Sequence, residues 1–105
     1  MQGIWSGRVK ITWSEQARKD IRAIHDYIAR DSTFYANRMV ERLVLRVGGL
    51  QQQPRKGHHV HEYPEHPDLR EVHEASYRII YLTAGSEIII VTIVHFARQF
   101  KWSRG

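Results

Sequence analysis

The feature that most constrains the fold of this chain is a pair of β-prone segments near its C-terminus, at residues 77–82 and 87–94. The intervening residues 84–86, Ala-Gly-Ser, are typical of a hairpin turn, so the two segments are predicted to pair antiparallel. From Ile88 onward the second segment has one polar residue, Thr92, which predicts a central strand covered on both faces. The chain must therefore supply layers that cover an apolar sheet.

Two amphipathic helices are predicted between residues 14 and 50. Ser14 is a favourable N-cap for the first helix, and Ser32 or Thr33 can cap the second. Each helix has one apolar stripe with spacings of three and four residues, which is the pattern of a helix that packs on a core through one face. The stripes are Ala17, Ile21, Ile24 and Ile28 in the first helix, and Ala36, Val40, Leu43, Val47 and Leu50 in the second.

The remaining segments complete the predicted architecture. Residues 8–13 alternate polar and apolar side chains, which predicts a half-buried first strand. Residues 69–75 are predicted to be extended, and residues 60–63 are predicted to form a short strand. The order of strand, two helices and then three to four strands predicts an α+β fold, in which a helical hairpin covers one face of a mostly antiparallel sheet.

Composition excludes several classes of protein and favours an anionic partner. The 105 residues are predicted to form one domain, residues 1–105, with flexible ends at residues 1–7 and 99–105. Cysteine is absent, which excludes disulfide scaffolds, zinc–thiolate sites and cysteine nucleophiles. No apolar run reaches the roughly 20 residues that span a bilayer, and no signal-peptide core is present, so we expect a soluble, cytoplasmic protein. The formal net charge of +5 favours nucleic acid or an acidic protein as partner.

Four basic residues on three predicted strands or strand ends are the candidate catalytic group. They are Arg70, Arg78, His95 and Arg98. Cleavage of RNA by its own 2′-hydroxyl needs a proton acceptor, a proton donor, and cations that stabilise charge on the phosphate. His95 suits acid–base chemistry, and Arg78 and Arg98 suit bidentate phosphate contact. The same residues also fit cross-strand pairs that only stabilise the sheet, and the sequence leaves both interpretations open.

Other basic residues are candidates for contact with nucleic acid or another target. The loop at residues 55–61 suits phosphate contact, and the tail from residue 98 mixes basic and aromatic side chains that suit base stacking or a protein interface. The candidates are Arg55, Lys56, His58, His59, His61, Arg98, Lys101, Trp102 and Arg104. A metal site at His59 and His61 would lack carboxylates in a ligand-like arrangement apart from Glu62 and Glu65, so no metal or other cofactor is expected.

Several short motifs spaced along the chain point to a known protein family. They are Ile-Thr-Trp-Ser at residues 11–14 with Ala17, Asp20, Ile21, Ile24, Tyr27 and Ile28 after it, Leu-Arg-Glu at 69–71, Tyr-Arg-Ile-Ile-Tyr at 77–81, and Ile-Val-His-Phe-Ala-Arg at 93–98. Through these motifs, over roughly residues 9–98, the chain resembles the ParE/RelE superfamily of bacterial toxins, and within it the ParE branch of plasmid stabilisation proteins. The resemblance implies a type II toxin that inhibits DNA gyrase without hydrolysis, arrests growth, needs no cofactor, and is blocked by a cognate antitoxin.

The resemblance also bears on single residues. RelE-like toxins that cut mRNA typically carry a tyrosine or histidine at the C-terminal end, close to the arginines. Here Phe96 follows His95, and residues 99–105 contain no tyrosine. The resemblance therefore implies that Arg70, Glu71, Tyr77 and Arg78 hold the fold or face the antitoxin. The candidate antitoxin-binding residues are Arg38, Arg42 and Arg46 on the second helix, together with Arg78; an ordinary solvated helix face is the alternative.

Two alternatives to gyrase inhibition stay open. The first is a ribosome-dependent, metal-independent mRNA endonuclease in which His95 and Arg78 are central. An unusual number of candidate acid–base groups favours it, namely His58, His59, His61, His66 and His73. The second is an inactive member of the superfamily that only binds its antitoxin.

Overall fold

The structure is a computed structural model that describes residues 9–102. Its helices are α1 (Glu15–Ala29) and α2 (Thr33–Gly48), and a 3₁₀ turn follows at Gly49–Gln51. Its strands are β1 (Lys10–Trp13), β2 (His58–His59), β3 (Leu69–Glu74), β4 (Tyr77–Ala84) and β5 (Glu87–His95). The predicted α+β fold is therefore confirmed. The predictions made for residues 1–7, for residues 103–105 and for Arg104 lie outside the described residues.

Both helices begin at predicted caps. Ser14 Oγ accepts a hydrogen bond from the Ala17 N–H at 3.0 Å, and Ser32 Oγ accepts one from the Tyr35 N–H at 3.2 Å. Of the two candidate caps for α2, Ser32 is the one used, and Thr33 is the first helical residue. Each cap satisfies an N–H that the first helical turn leaves without a backbone partner. The two helices pack against each other as a hairpin.

The strands of the described region form one sheet in the order β1-β5-β4-β3-β2. β1 is parallel to β5, and the other neighbouring pairs are antiparallel. β5 lies between two strands, as its apolar sequence predicts. A bulge interrupts the β4–β5 register: Ile80 is opposite Thr92, whereas Tyr81 is opposite Ile90, so Val91 is the extra residue.

The prediction of a strand at residues 60–63 is wrong. The strand is two residues long and lies just before this segment, at His58–His59. The chain turns immediately afterwards, because the N–H of Tyr63 donates to the carbonyl of Val60 at 2.9 Å. Pro64 comes next and has no N–H to offer a neighbouring strand, so the segment cannot continue the ladder.

Apolar side chains are buried on both faces of the sheet. The helix face is the one on which α1 and α2 pack; its core includes Leu43 and Val47 of α2 and Ile79 of β4. The opposite face, called the back face, has its own smaller core, made of Val60, Leu69, Ile80 and Phe100. No helix within residues 9–102 combines the length and the apolar character that crossing a membrane requires.

The first part of the predicted flexible tail is packed. Phe100 is only 6% exposed, and its N–H donates to the Glu62 carboxylate at 2.8 Å. The N–H of Trp102 donates to the hydroxyl of Tyr63, also at 2.8 Å. The tail segment, residues 99–102, therefore lies against the back face. Burial of an aromatic ring is a sufficient physical reason, because it removes a large apolar surface from water.

Candidate functional site

The four residues of the predicted catalytic group do not come together. Successive side chains of a strand point to opposite faces of a sheet. Arg78 is opposite Val94, which packs on the back-face core, whereas His95 is one residue further and pairs with Tyr77, which packs on the helix-face core. His95 and Arg78 thus lie on opposite faces of the sheet.

The other two members of the group are also apart. Arg70 is opposite Tyr81, on the helix face, and its Nη1 donates to the Gly57 carbonyl at 2.7 Å. Arg98 lies beyond β5, where its N–H donates to the His95 carbonyl at 2.9 Å and its side chain borders a groove on the back face. The sequence alone carried the signal for this separation, because the odd and even positions of paired strands fix which side chains share a face.

Arg78 is the centre of a buried ion cluster. Its Nε and Nη2 donate to the two oxygens of Glu71 at 2.7 and 3.0 Å, and its Nη1 and Nη2 donate to the two oxygens of Glu62 at 2.9 and 2.6 Å. Each of the three side chains is only 4% exposed. Nη1 also donates to the Arg98 carbonyl at 3.1 Å. This Arg78 cluster ties the turn after β2, the strands β3 and β4, and the start of the tail segment into one unit.

The electrostatics of the Arg78 cluster follow from these contacts. The hydrogen bonds from Arg78 lower the pKa of Glu62 to about 2. Burial raises the pKa of Glu71, but hydrogen bonds from Arg78 and His73 outweigh burial, and the net shift of the Glu71 pKa is downward. The two carboxylates in turn raise the pKa of Arg78. The guanidinium of Arg78, the candidate for phosphate and antitoxin contact, is thus enclosed by the two carboxylates.

An open groove lies on the back face beside the Arg78 cluster. Its volume is about 800 Å³, and its floor is apolar, formed by Leu82, Ile89, Val91 and Val94. One wall comes from the start of α1, with Ser14, Gln16 and Asp20. The other wall is the tail segment with Arg98 before it, and it includes Phe100, Lys101 and Trp102. The prediction that β5 is covered on both faces is therefore wrong in part, because Ile89, Val91 and Val94 on its back face are only half-buried.

The tail wall of the groove is anchored through the Arg78 cluster. Glu62 Oε2, which accepts from Arg78, also accepts the N–H of Phe100 at 2.8 Å. The ring of Tyr63 packs edge-on against Phe100, with centroids 5.6 Å apart, and against Trp102, with centroids 6.0 Å apart. These contacts place two aromatic side chains and two basic ones beside an apolar floor.

The charges around the groove are uneven. Arg98 and Lys101 line the tail wall. Asp20 lies on the opposite wall, where its carboxylate accepts hydrogen bonds from the Thr92 hydroxyl and, at 3.0 Å, from the Ile93 N–H. These bonds tie the Asp20 charge to the bulged part of β5. The groove as a whole therefore fits a segment that carries apolar side chains for the floor and acidic ones for the tail wall.

The other predicted contact residues lie elsewhere. Arg42 donates to the Glu74 carboxylate at 2.8 Å, Arg46 donates to the His73 carbonyl at 3.3 Å, and Arg38 stacks over Phe34. Arg55 pairs with Asp68 at 3.2 Å, and Lys56 follows it in the loop. Within residues 9–102, the groove lining does not include Arg38, Arg42, Arg46, Arg55 or Lys56. The histidines His58, His59 and His61 instead border a smaller cavity of about 290 Å³, together with Glu71, His73, Arg78 and Phe96.

Sequence reasoning missed the floor of the groove and the pairing of Glu62 with Arg78. One signal for the floor was available: a single pair of helices can cover only one face of a sheet, so the other face of an apolar strand must find a different cover. Glu62 offered no comparable signal, because its partner Arg78 lies 16 residues away and on another element.

Comparisons with known proteins agree with this fold. The sequence model of the family described as "ParE toxin of type II toxin-antitoxin system, parDE" matches residues 11–100. None of the curated proteins has a significantly similar sequence. Among solved structures, the chain is similar to a chain of the chromosomal ParDE toxin–antitoxin system from P. aeruginosa, with 26% identity and a TM-score of 0.69, over 86% of this chain and 98% of that one.

Two further solved structures share the fold at lower identity. One is a chain of the RelBE toxin–antitoxin complex of Mycobacterium tuberculosis, with 16% identity and a TM-score of 0.63, over 84% of this chain and 98% of that one. The other is a double arginine-to-alanine mutant of the E. coli toxin RelE in the free state, with 18% identity and a TM-score of 0.59, over 82% and 81% of the two chains.

Proposed function

This chain belongs to the ParE toxin family of type II toxin–antitoxin systems, and from that premise we propose that it arrests bacterial growth by inhibiting DNA gyrase in the cytoplasm until a cognate antitoxin neutralises it. The observation that carries the proposal is the family match over residues 11–100, which spans both helices, all of the sheet except Lys10, and the Arg78 cluster. The inhibition is by binding and needs no cofactor.

The back-face groove supports the antitoxin part of the proposal. A segment of the antitoxin lies along Ile89, Val91 and Val94 and places acidic side chains against Arg98 and Lys101. The apolar floor and the basic wall together fit an acidic, amphipathic segment, because the apolar contacts provide affinity and the charges fix the orientation of the segment. The P. aeruginosa relative belongs to a toxin–antitoxin system, which is consistent with a partner of this kind.

The separation of His95 from Arg78 supports inhibition by binding over hydrolysis. A ribonuclease of the predicted kind needs a proton-transfer group and a phosphate-binding cation on the same side of the scissile bond. Here the two groups are on opposite faces, and Arg78 is fully engaged by two carboxylates. Two features favour the mRNA endonuclease alternative: the exposed basic loop with Arg55 and Lys56, and the histidines that line the same cavity as Arg78.

The proposal is tested with purified toxin, purified gyrase and supercoiled plasmid. We expect the toxin to inhibit supercoiling and to trap cleaved plasmid, and we expect equimolar cognate antitoxin to abolish both effects. The His95→Ala variant should act like the wild type, since no proton transfer is involved. If gyrase kept its activity at toxin concentrations that arrest growth, gyrase would be refuted as the target. If expression of the toxin had no effect on growth, the inactive, antitoxin-binding alternative would be supported instead.

A further inference from the structure

The two carboxylates of the Arg78 cluster lie close to a histidine, and together the three side chains form a group of possible metal ligands. Neither gyrase inhibition nor antitoxin binding requires this group. One ligand atom from each of His61, Glu62 and Glu71 lies within 4.8 Å of the other two. Nδ1 of His61 is 3.4 Å from Oε1 of Glu62. Donor atoms around a tetrahedral Zn²⁺ lie roughly 3.4 Å apart, because each bond is about 2.0–2.2 Å long. The spacing of this pair is thus the spacing of two ligands on one metal ion.

The carboxylates retain the capacity to bind a cation. Oε1 of Glu62 and Oε2 of Glu71 both accept from the same nitrogen, Nη2 of Arg78, at 2.6 and 3.0 Å. A carboxylate oxygen has two lone pairs, so one hydrogen bond leaves the second available. Among the described residues, Glu71 Oε2 accepts a hydrogen bond only from Arg78. Each of these two oxygens therefore keeps a lone pair with which to bind a cation.

The charge balance at this point also favours a cation. Two carboxylates and one guanidinium leave one surplus negative charge, and all three groups are only 4% exposed. A buried charge without a counter-charge is unfavourable. The surrounding groups include the imidazoles of His61, His58 and His73, which line the 290 Å³ cavity together with Glu71. Imidazole and carboxylate together are ligands that suit Zn²⁺ and similar transition-metal ions.

We propose that the chain binds one divalent transition-metal ion of the Zn²⁺ type through Nδ1 of His61, a Glu62 oxygen and a Glu71 oxygen, with water completing the coordination. His73 is a positioning residue, because its Nε2 lies 3.0 Å from Glu71 Oε1 and orients that carboxylate. The ion joins the turn after β2 to β3, and thus adds a link to the segment whose Glu62 anchors the tail wall of the groove. This role is independent of gyrase as the target.

The experiment is a titration of the untagged chain with Zn²⁺ by isothermal calorimetry, followed by Co²⁺ titration with visible absorption to report the coordination geometry. The test variant is His61→Ala, which removes an exposed side chain and leaves the Arg78 cluster intact. The matched control is His25→Ala. His25 has the same kind of neighbour, with Nδ1 3.3 Å from the Asp26 carboxylate, but His25 belongs to no three-ligand group in residues 9–102.

We expect the wild type to bind one equivalent of Zn²⁺ and His61→Ala to bind at least about tenfold more weakly, while His25→Ala binds like the wild type. The melting temperature of the wild type should rise with Zn²⁺ and that of His61→Ala should not, since a ligand that binds only the native state stabilises it. Absence of stoichiometric binding to the wild type overturns the proposal. Equal losses in the two variants also overturn it, because they would indicate binding to dispersed surface histidines.

Discussion

Nη2 of Arg78 lies 2.6 Å from Oε1 of Glu62, and both side chains are buried although the residues come from β4 and from the turn after β2. This contact holds the turn on the sheet. The second oxygen of Glu62 accepts a hydrogen bond from the N–H of Phe100, so the same carboxylate also positions the tail segment. The shape of the back-face groove therefore depends on one ion pair at its side.

Loss of the guanidinium should destabilise the protein strongly. In Arg78→Met, the carboxylates of Glu62 and Glu71 remain buried without a counter-charge, which costs about 3–5 kcal/mol of unfolding free energy at pH 7. Urea denaturation followed by circular dichroism measures the change. The matched control is Arg38→Met, because Arg38 is exposed and its nearest carboxylate is 4.0 Å away; we expect its effect to stay within about 0.5 kcal/mol. Equal stabilities of the two variants would contradict the role given to Arg78.

Stability should fall in acid because of Glu62. Its pKa is about 2 in the folded chain against 4.5 for an ordinary glutamate, so its contribution is fully present above pH 4.5 and is lost as the pH falls from 4.5 towards 2. Glu71, whose pKa is also lowered, acts in the same direction. In Glu62→Gln, urea unfolding at a series of pH values should show a shallower loss over this range.

The control for the pH series is Glu65→Gln, which removes an exposed carboxylate in the same turn. We expect its unfolding free energy to follow the wild-type pH profile. If Glu62→Gln kept the full wild-type slope between pH 4.5 and 2, the Arg78–Glu62 contact would not be the source of the acid sensitivity.

Gly57 should not tolerate a side chain. A Cβ at this position would lie 2.5 Å from the carbonyl oxygen of Glu71 and 2.7 Å from the hydroxyl of Tyr81, and that hydroxyl already accepts the Gly57 N–H at 2.9 Å. Because backbone cannot move aside cheaply, Gly57→Ala should cost about 1–3 kcal/mol. Gly48→Ala is the control: nothing lies within 4 Å of its Cβ position in α2, so alanine should stabilise the helix by about 0.5–1 kcal/mol. Changes of the same sign in the two variants' melting temperatures would contradict this account.

The groove floor should decide antitoxin binding. Val91→Glu places a charge on the apolar floor, and we expect it to weaken binding of the cognate antitoxin by at least about 100-fold, or roughly 3 kcal/mol, in calorimetry. Arg98→Glu should weaken it as well, by reversing a charge on the tail wall. Leu45→Glu, on an exposed position of α2, is the control and should bind normally. Loss of binding in Leu45→Glu with full binding in Val91→Glu would move the antitoxin to another surface.

Local signals explain why much of the fold could be predicted from the sequence. A helix cap and an apolar run depend only on residues that are close together in the sequence. The helices capped by Ser14 and Ser32, and the strand β5, lie where these local signals predict. The Arg78–Glu62 pair and the partly covered back face depend on contacts between distant segments, which no local pattern specifies. The predicted strand at residues 60–63 failed for the same reason: burial of Val60 comes from tertiary packing and not from pairing.

The most direct test of the central claim is induced expression of the toxin without its antitoxin, with gyrase–DNA cleavage complexes and a primer-extension map of cellular mRNA measured in the same culture. The account predicts trapped gyrase–DNA complexes and intact mRNA, with the same result for His95→Ala. Codon-phased cuts in mRNA with unaffected gyrase, abolished by His95→Ala, would contradict it and would establish a ribosome-dependent endonuclease.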